Sequence, residues 1–339
     1  MEIRAQELYS AGTASELIFG LLRARVLSAA ICSAAELGVA DHLHDQPVPV
    51  AELARLTNSD EEALYRLLRC LAIAGVIVEA KPRSFVQTSV SEALSRRSPN
   101  SIRDLAVMDG QGWFTRSIDE LTYSVRTGAS SFDEVFGMHI FEYFEKHPEA
   151  ANAFNAGMQA ATAQLEMPLL DQYDFSWATR IADIGGGTGA FLEAVLLRNP
   201  GASGVLGDLA EVAEAARGYL DQSECSDRCE VLAIDMFEEI PIQANACILK
   251  RVIHDWSDDD AIKILVNCRK VIDPSGRVVV IEPVISDLTS ALMDLALLPF
   301  GGRERTTNDY QRLFSAAGLK VARIVPVTGF ASIVEGSVG

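Results

Sequence analysis

The chain has 339 residues, of which 49% are hydrophobic, and its formal net charge is −18 because 47 acidic residues outnumber 29 basic ones. This length and apolar content indicate two folded domains with a large core and exclude a disordered chain. The negative charge repels phosphate backbones and anionic lipid surfaces, so we expect neither nucleic acid nor a membrane as a partner.

The first predicted element is a long helical region. From residue 14 to about residue 43 apolar residues recur at helical spacing, and the only breaks are Gly20 and Gly38. The pattern predicts one or two helices with an extensive apolar face. Residues 1–7 contain acidic side chains and lack a secretory signal, and later apolar runs are too short to cross a bilayer, so we expect a cytoplasmic protein.

The next segment predicts a winged helix. Two short helices, at residues 50–56 and 61–74, are separated by a turn, and a hairpin at residues 76–88 follows. Winged helices often bind DNA, but residues 46–100 contain seven basic and six acidic side chains, and three of the acidic ones begin the second helix. These charges favour a dimerisation or lid role.

Residues 101–170 are predicted to be helical and are rich in large apolar side chains. Most of these side chains are expected in the core, and some are expected to line a pocket for a flat acceptor molecule. The candidate acceptor-binding residues are Trp113, Phe154, Met158 and, later in the chain, Met293.

After residue 173 strands alternate with helices, which is typical of a doubly wound parallel sheet. The predicted strands are residues 180–184, 204–208, 230–234, 246–252, 277–282, 321–327 and 331–334. The sequence therefore predicts an α/β protein with an amino-terminal, mostly helical winged-helix domain (residues 1–100), a helical connector (101–170) and a Rossmann-like seven-stranded domain (171–339).

A glycine-rich turn follows the first strand of this sheet. Glycines let a backbone approach a ligand closely and expose amide groups at the positive end of a helix. The spacing of Gly185, Gly187 and Ala190 also fits the dinucleotide fingerprint, and Asp208, at the end of the second strand, suits the ribose of either cofactor. These positions alone do not distinguish a nicotinamide cofactor from S-adenosylmethionine.

Two further strand ends carry candidate residues. Asp235, Met236 and Phe237 suit an adenine, although a turn aspartate with a core methionine is the alternative. His254 and Asp255 follow the fourth strand, at the edge of a parallel sheet where ligands bind.

In order and spacing these motifs resemble the caffeic-acid-type O-methyltransferases of plants and their bacterial natural-product relatives, over nearly the whole chain. The matching segments are Asp183-Ile-Gly-Gly-Gly-Thr-Gly, Gly207-Asp208-Leu209, Asp235-Met236-Phe237, Leu249-Lys250, His254-Asp255-Trp256, Ile281-Glu282-Pro283 and Gly301-Gly-Arg-Glu-Arg-Thr.

The resemblance implies methyl transfer from S-adenosylmethionine, with S-adenosylhomocysteine as product and no metal, to a hydroxyl of a small aromatic acceptor. It implies that His254 is the catalytic base, that Glu282 and Glu304 flank it, and that Asp255 lies beside the acceptor. It also implies, together with the apolar helices, a homodimer. The implied cofactor-binding residues are Asp183, Gly185, Gly187, Asp208, Leu209, Asp235, Met236, Phe237 and Lys250.

The chemistry agrees with a histidine base. Phenols lose their proton near pH 10, and histidine is the side chain that titrates closest to neutrality. Either Glu282 or Glu304 is expected to orient the imidazole. The alternatives are a structural role for His254 and a solvated charge cluster around Glu304, between Arg303 and Arg305.

Three other functions remain open at this stage. A nicotinamide oxidoreductase would use the same glycine turn, and a winged-helix regulator would bind a metabolite without catalysis. A methyltransferase-like protein would bind the cofactor but catalyse hydroxylation or decarboxylation.

Overall fold

The computed structural model describes residues 13–328 and 330–339, so the interpretation of residues 1–7 falls outside the described residues. Contacts divide the chain into two units. One contains the described residues up to Arg116 together with Ile140–Gln164, and the other contains Ser117–His139 and Leu165–Gly339. The division at residues 100 and 170 stays a prediction.

The first unit begins with helix α1 (Ala14–Glu36). The Thr13 hydroxyl accepts a hydrogen bond from the Glu16 N–H, and the Glu16 carboxylate accepts one from the Thr13 N–H, so both groups cap the helix. Gly38 has a φ of 68°, which ends the helical run before a short 3₁₀ turn at Val39–His42.

Helix α1 exposes its apolar side chains. Ile18, Phe19, Leu22 and Val26 are each more than half exposed. Within the described part of the chain, α1 is the one helix long and apolar enough to cross a membrane, and 6% of its most apolar window is buried. This apolar face therefore has little cover within one subunit.

A winged helix follows, as predicted. Its helices are α2 (Val50–Leu56) and α3 (Glu61–Ile73), and its antiparallel sheet has the order β1-β3-β2. Leu64, Leu68 and Leu71 lie on one face of α3 and are buried in the core of the unit. The strands are β1 (Val48–Pro49), β2 (Val78–Lys81) and β3 (Ser84–Val86).

Short helices make up the region after the winged helix, which confirms its predicted helical character. They are α4 (Ser89–Glu92), α5 (Arg103–Asp109), α6 (Gly112–Asp119), α7 (Leu121–Thr127), α8 (Ser131–Phe136), α9 (Ile140–Lys146) and α10 (Pro148–Ala161).

The second unit contains a seven-stranded sheet of order β6-β5-β4-β7-β8-β10-β9, which confirms the predicted fold class. Neighbouring strands from β6 to β8 are parallel, and β10 is antiparallel to both β8 and β9. The strands are β4 (Arg180–Ile184), β5 (Ser203–Asp208), β6 (Cys229–Ala233), β7 (Ala244–Lys250), β8 (Ile272–Glu282), β9 (Leu319–Thr328) and β10 (Ala331–Val338).

Buried clusters cover both faces of this sheet, because successive strand residues point to opposite sides. In β7, Cys247 and Leu249 join one cluster, while Ala246 and Ile248 join the other. The central strands β4, β5 and β7 are therefore largely buried between these two clusters. The helices of this unit after β4 are α11 (Ala190–Arg198), α12 (Ala210–Leu220), α13 (Asp258–Val271), α14 (Leu288–Leu297) and α15 (Thr307–Ala316).

Candidate active site

The glycine turn leaves β4 and enters α11. Gly185 and Gly187 have φ values of 70° and 59°, which side chains other than glycine rarely adopt. A Cβ on Gly185 would lie 2.7 Å from a methyl of Val252, whereas a Cβ on Gly187 would meet open space. The turn therefore needs glycine for its backbone, and its outer side is free to approach a ligand.

Asp208, at the end of β5, fixes this turn. Its Oδ2 accepts a hydrogen bond from the Gly187 N–H at 2.9 Å, and its Oδ1 accepts one from the Leu209 N–H at 2.7 Å. Burial raises the pKa of Asp208, and these two hydrogen bonds offset only part of that rise. A carboxylate held in this way retains lone pairs that fit a ribose diol.

Asp183 lies in β4 directly before the glycine turn and is fully buried. Neither of its carboxyl oxygens has a hydrogen-bond partner among the described residues. Burial raises its pKa to about 7, although the charge of Lys250 acts in the opposite direction. Buried polar atoms without partners are rare in native proteins, so these oxygens fit a site completed by a polar ligand.

The segment after β6 has a fixed backbone. Asp235 is exposed, and its Oδ1 accepts a hydrogen bond from the Phe237 N–H at 2.9 Å. The Asn267 amide donates to the Met236 carbonyl at 3.0 Å, and the Phe237 ring packs edge-on against Trp256. The soft apolar side chain of Met236 and the exposed carboxylate of Asp235 fit an adenine. The residues present therefore fit S-adenosylmethionine.

His254 lies in a 3₁₀ turn, Ile253–Asp255, after the end of β7. The side chain is buried, with Nδ1 3.0 Å from Oε1 of Glu304 and Nε2 3.6 Å from Oδ1 of Asp255. The structure thus brings together His254, Asp255 and Glu304, as the motifs predict, and Glu304 is the residue that orients the ring.

Glu282, at the end of β8, contacts the backbone of this turn. Its Oε1 accepts hydrogen bonds from the N–H groups of Val252 and His254 at 3.0 and 3.1 Å, and its Oε2 accepts one from the Tyr310 hydroxyl. The carboxylate therefore fixes where the turn lies, while the ring faces Glu304.

The carboxylates around His254 control its protonation. Burial alone lowers the pKa of the imidazole, but Asp255, the hydrogen bond to Glu304 and the charge of Glu282 outweigh it and raise the pKa to about 9. With this pKa, the imidazole is mostly protonated at neutral pH when no ligand is bound.

The alternative of a solvated charge cluster at residues 303–305 is wrong for two of its members. Glu304 and Arg305 are buried, and only Arg303 is largely exposed. The Arg305 guanidinium donates to the carbonyls of Ile253 and Trp256, both at 2.8 Å, and to Asp258. Arg305 therefore binds backbone carbonyls at the His254 turn, while Glu282 binds backbone N–H groups there.

The sequence did not identify Arg251, Arg305 or Tyr310 as parts of this site. Arg305 lies inside a recognised motif, but only the folded turn brings its guanidinium to two backbone carbonyls. Tyr310 lies in α15, and nothing in the helical pattern distinguishes its hydroxyl from that of an ordinary core tyrosine.

The candidate acceptor-binding residues are divided between the two units. In the first unit, Trp113 is buried and packs edge-on against Phe154, with ring centroids 6.4 Å apart, and Met158 is half-buried in α10. In the second unit, Met293 is half-buried in α14. Their acceptor-binding role stays a prediction. Among the described residues, no group of three or more His, Cys, Asp or Glu side chains is arranged to hold a metal ion.

Comparisons with known proteins identify the family. Residues 118–320 match the O-methyltransferase domain, and residues 19–97 match the O-methyltransferase dimerisation domain. Phenazine O-methyltransferase PhzM of Lysobacter antibioticus is 34% identical over 95% of each chain. Aclacinomycin 10-hydroxylase RdmB of Streptomyces purpurascens is 34% identical over 85% of this chain and 80% of its own.

A solved structure extends this likeness to the cofactor. CalO1, a methyltransferase in calicheamicin biosynthesis crystallised in its SAH-bound form, is 34% identical, with a TM-score of 0.87 over 96% of this chain and 98% of its own. The predicted cofactor and enzyme class are confirmed, and the dimerisation-domain match supports the predicted homodimer. The chain belongs to the O-methyltransferase family that joins this catalytic domain to an amino-terminal dimerisation domain, and it is an S-adenosylmethionine-dependent O-methyltransferase.

Proposed function

We propose that this enzyme methylates a hydroxyl of a small aromatic secondary metabolite and that His254 is its general base. The proposal rests on one observation: Glu304 binds Nδ1 of the imidazole, which leaves Nε2 as the nitrogen that can accept a proton. An aromatic acceptor is supported by the name of the phenazine-methylating relative and by the aromatic side chains around Trp113.

The residues that would hold the cofactor lie at the ends of neighbouring strands. Gly185 and Gly187 would face its methionine part, Asp208 its ribose, and Asp235 with Met236 its adenine. Asp183 and Lys250 lie beside the glycine turn and would set the charge there. When bound, S-adenosylmethionine supplies a methyl group on a sulfonium, whose leaving thioether needs no proton.

The protein's remaining task is to orient the acceptor and remove its hydroxyl proton. A neutral phenol is a weak nucleophile with a pKa of about 10. His254, with a pKa of about 9, is closely matched to such a group, so proton transfer to Nε2 costs little. Glu304 and Asp255 stabilise the imidazolium that forms.

We further propose that the enzyme is a cytoplasmic homodimer. Most of the apolar helix α1 lies within the segment that matches the dimerisation domain. A second subunit would cover its exposed face, which accounts for the apolar surface without a membrane.

The test begins with isothermal titration of the purified protein with S-adenosylhomocysteine, with NADH as the control ligand. Micromolar binding of the former alone is expected. The enzyme is then incubated with methyl-labelled S-adenosylmethionine and a panel of phenols, naphthols, hydroxyquinones and hydroxyphenazines. A labelled methyl ether is the expected product, whereas oxygen insertion or loss of carbon dioxide without methylation would establish the alternative reaction.

A further inference from the structure

Arg251 has an unusual backbone conformation directly after β7 and before the His254 turn. Its φ is 55°, a value that residues other than glycine rarely adopt. Its N–H donates to the Ile281 carbonyl of β8 at 3.1 Å, which fixes the peptide in this position. Residues held in such conformations cluster at functional sites, so the side chain of Arg251 calls for an explanation.

The side chain extends to the carboxylate that binds the catalytic imidazole. It is 10% exposed, with Nη1 3.6 Å from Oε1 of Glu304 and Nη2 donating to the Phe330 carbonyl at 2.9 Å. The same Oε1 is 3.0 Å from Nδ1 of His254. Glu304 thus lies between a permanent cation and the imidazole.

The charges around His254 indicate how the Arg251 guanidinium affects protonation of the imidazole. The carboxylates of Asp255, Glu282 and Glu304 all favour the imidazolium. The Arg251 guanidinium contacts the same Glu304 oxygen as the imidazole, and a second cation that shares one carboxylate disfavours the charged ring.

Other titratable groups also face these carboxylates among the described residues. The charge of His139 acts on Asp255, Asp294 accepts the Glu304 N–H, and the Tyr310 hydroxyl binds Glu282. The nearby Arg303 and Arg305 side chains pair with Asp258 instead.

We propose that Arg251 is a positioning residue for methyl transfer, which holds the Glu304 carboxylate against Nδ1 of His254 and limits how strongly the site retains a proton on the imidazole. This inference rests on the proposed role of His254 as base. It predicts that loss of the guanidinium makes His254 more basic and moves the acidic limb of the activity profile to higher pH.

The test measures the protonation of His254 directly by NMR on full-length protein with ¹³C-labelled histidine. The His254 signal is assigned by its loss in His254→Gln, and its pKa is measured in wild type, Arg251→Asn and Arg251→Lys. Asparagine tolerates a positive φ, so Arg251→Asn removes the cation without adding backbone strain. Arg303→Gln is the matched control, because Arg303 lies 3.7 Å from Asp258 rather than beside Glu304.

The expected result is a rise of about one unit in the pKa of His254 in Arg251→Asn, and a pKa near the wild-type value in Arg251→Lys and Arg303→Gln. If Arg251→Asn does not fold, Arg251→Gln provides the same comparison. An unchanged or lowered pKa, or an equal rise in Arg303→Gln, would overturn the proposal. The titration needs no acceptor, so absence of methyl transfer in the wild type would refute the proposed function and leave this measurement intact.

Discussion

Glu282 binds the backbone of His254 and not its ring: its Oε1 accepts the His254 N–H at 3.1 Å, while Nδ1 of the ring faces Glu304. The two glutamates therefore have separate tasks. Glu282 fixes the position of the turn, and Glu304 fixes the orientation of the imidazole.

The first prediction concerns the base itself. His254→Gln is expected to lower turnover by about a hundredfold or more, because general-base catalysis commonly contributes on the order of a hundred to ten thousand. Affinity for S-adenosylhomocysteine, measured by isothermal titration, should stay nearly unchanged, since His254 is not among the proposed cofactor-binding residues. Near-wild-type turnover would show that the acceptor ionises without this histidine.

The pH dependence of activity follows from the raised pKa of His254. The base must be neutral to accept a proton, and its pKa in the free enzyme is about 9. We therefore expect kcat/KM for the acceptor to rise about tenfold from pH 7 to pH 8 and to level off above pH 9. A profile that is flat from pH 6 to pH 9 would contradict this assignment.

Stability should change with pH in the opposite direction. A histidine whose pKa rises from 6.5 to about 9 on folding stabilises the native state fully below pH 6.5, and this contribution is lost as the pH rises through 9. Urea unfolding of wild type and His254→Gln should therefore differ more at pH 6 than at pH 9.5. An equal difference at both values would mean that His254 is not protonated on folding.

Asp208 provides a test of the cofactor site. Asp208→Asn removes the charge and one of the acceptors for the N–H groups of Gly187 and Leu209. Hydrogen bonds to charged groups contribute about 1.5–3 kcal/mol, so affinity for S-adenosylhomocysteine should fall about tenfold or more. Asp221→Asn, at an exposed helix end, is the control and should bind as the wild type does.

Gly302 tests the packing around the His254 turn. A Cβ at this position would lie 2.8 Å from the His254 carbonyl oxygen. Gly302→Ala should therefore shift the turn and lower both the melting temperature and turnover. Gly218→Ala, in helix α12 with open space around its Cα, is the control and should be neutral or slightly stabilising, because alanine favours helices. Equal melting temperatures for the two variants would show that the turn accommodates the added methyl group at residue 302 without loss of stability.

Much of the fold was predictable because buried strands and helices have strong local patterns. The strand Arg180–Ile184 and the helix Val50–Leu56 have the predicted limits. The fourth strand was predicted to run to residue 252 but ends at Lys250. The reason is the positive φ of Arg251, which turns the chain although its sequence contains no glycine there.

The site was predictable in its members but not in their contacts. The resemblance implies that Glu282 and Glu304 flank His254, yet the sequence does not show which carboxylate faces the ring and which faces the backbone. The roles of Arg305 and Arg251 depend on distances between segments that lie far apart in the chain. Only the folded structure supplies those distances.

The last prediction concerns the apolar face of α1. Leu22 is 67% exposed within one subunit and lies in the dimerisation-domain match, so Leu22→Glu should place a charge in the subunit interface and raise the dimer dissociation constant more than tenfold. Val125→Glu, at a side chain 66% exposed on α7, outside that match, is the control. Light scattering at micromolar concentration should give twice the subunit mass of 36.7 kDa for wild type and Val125→Glu. A monomeric wild type would contradict the dimer, and a fully dimeric Leu22→Glu would place the interface elsewhere.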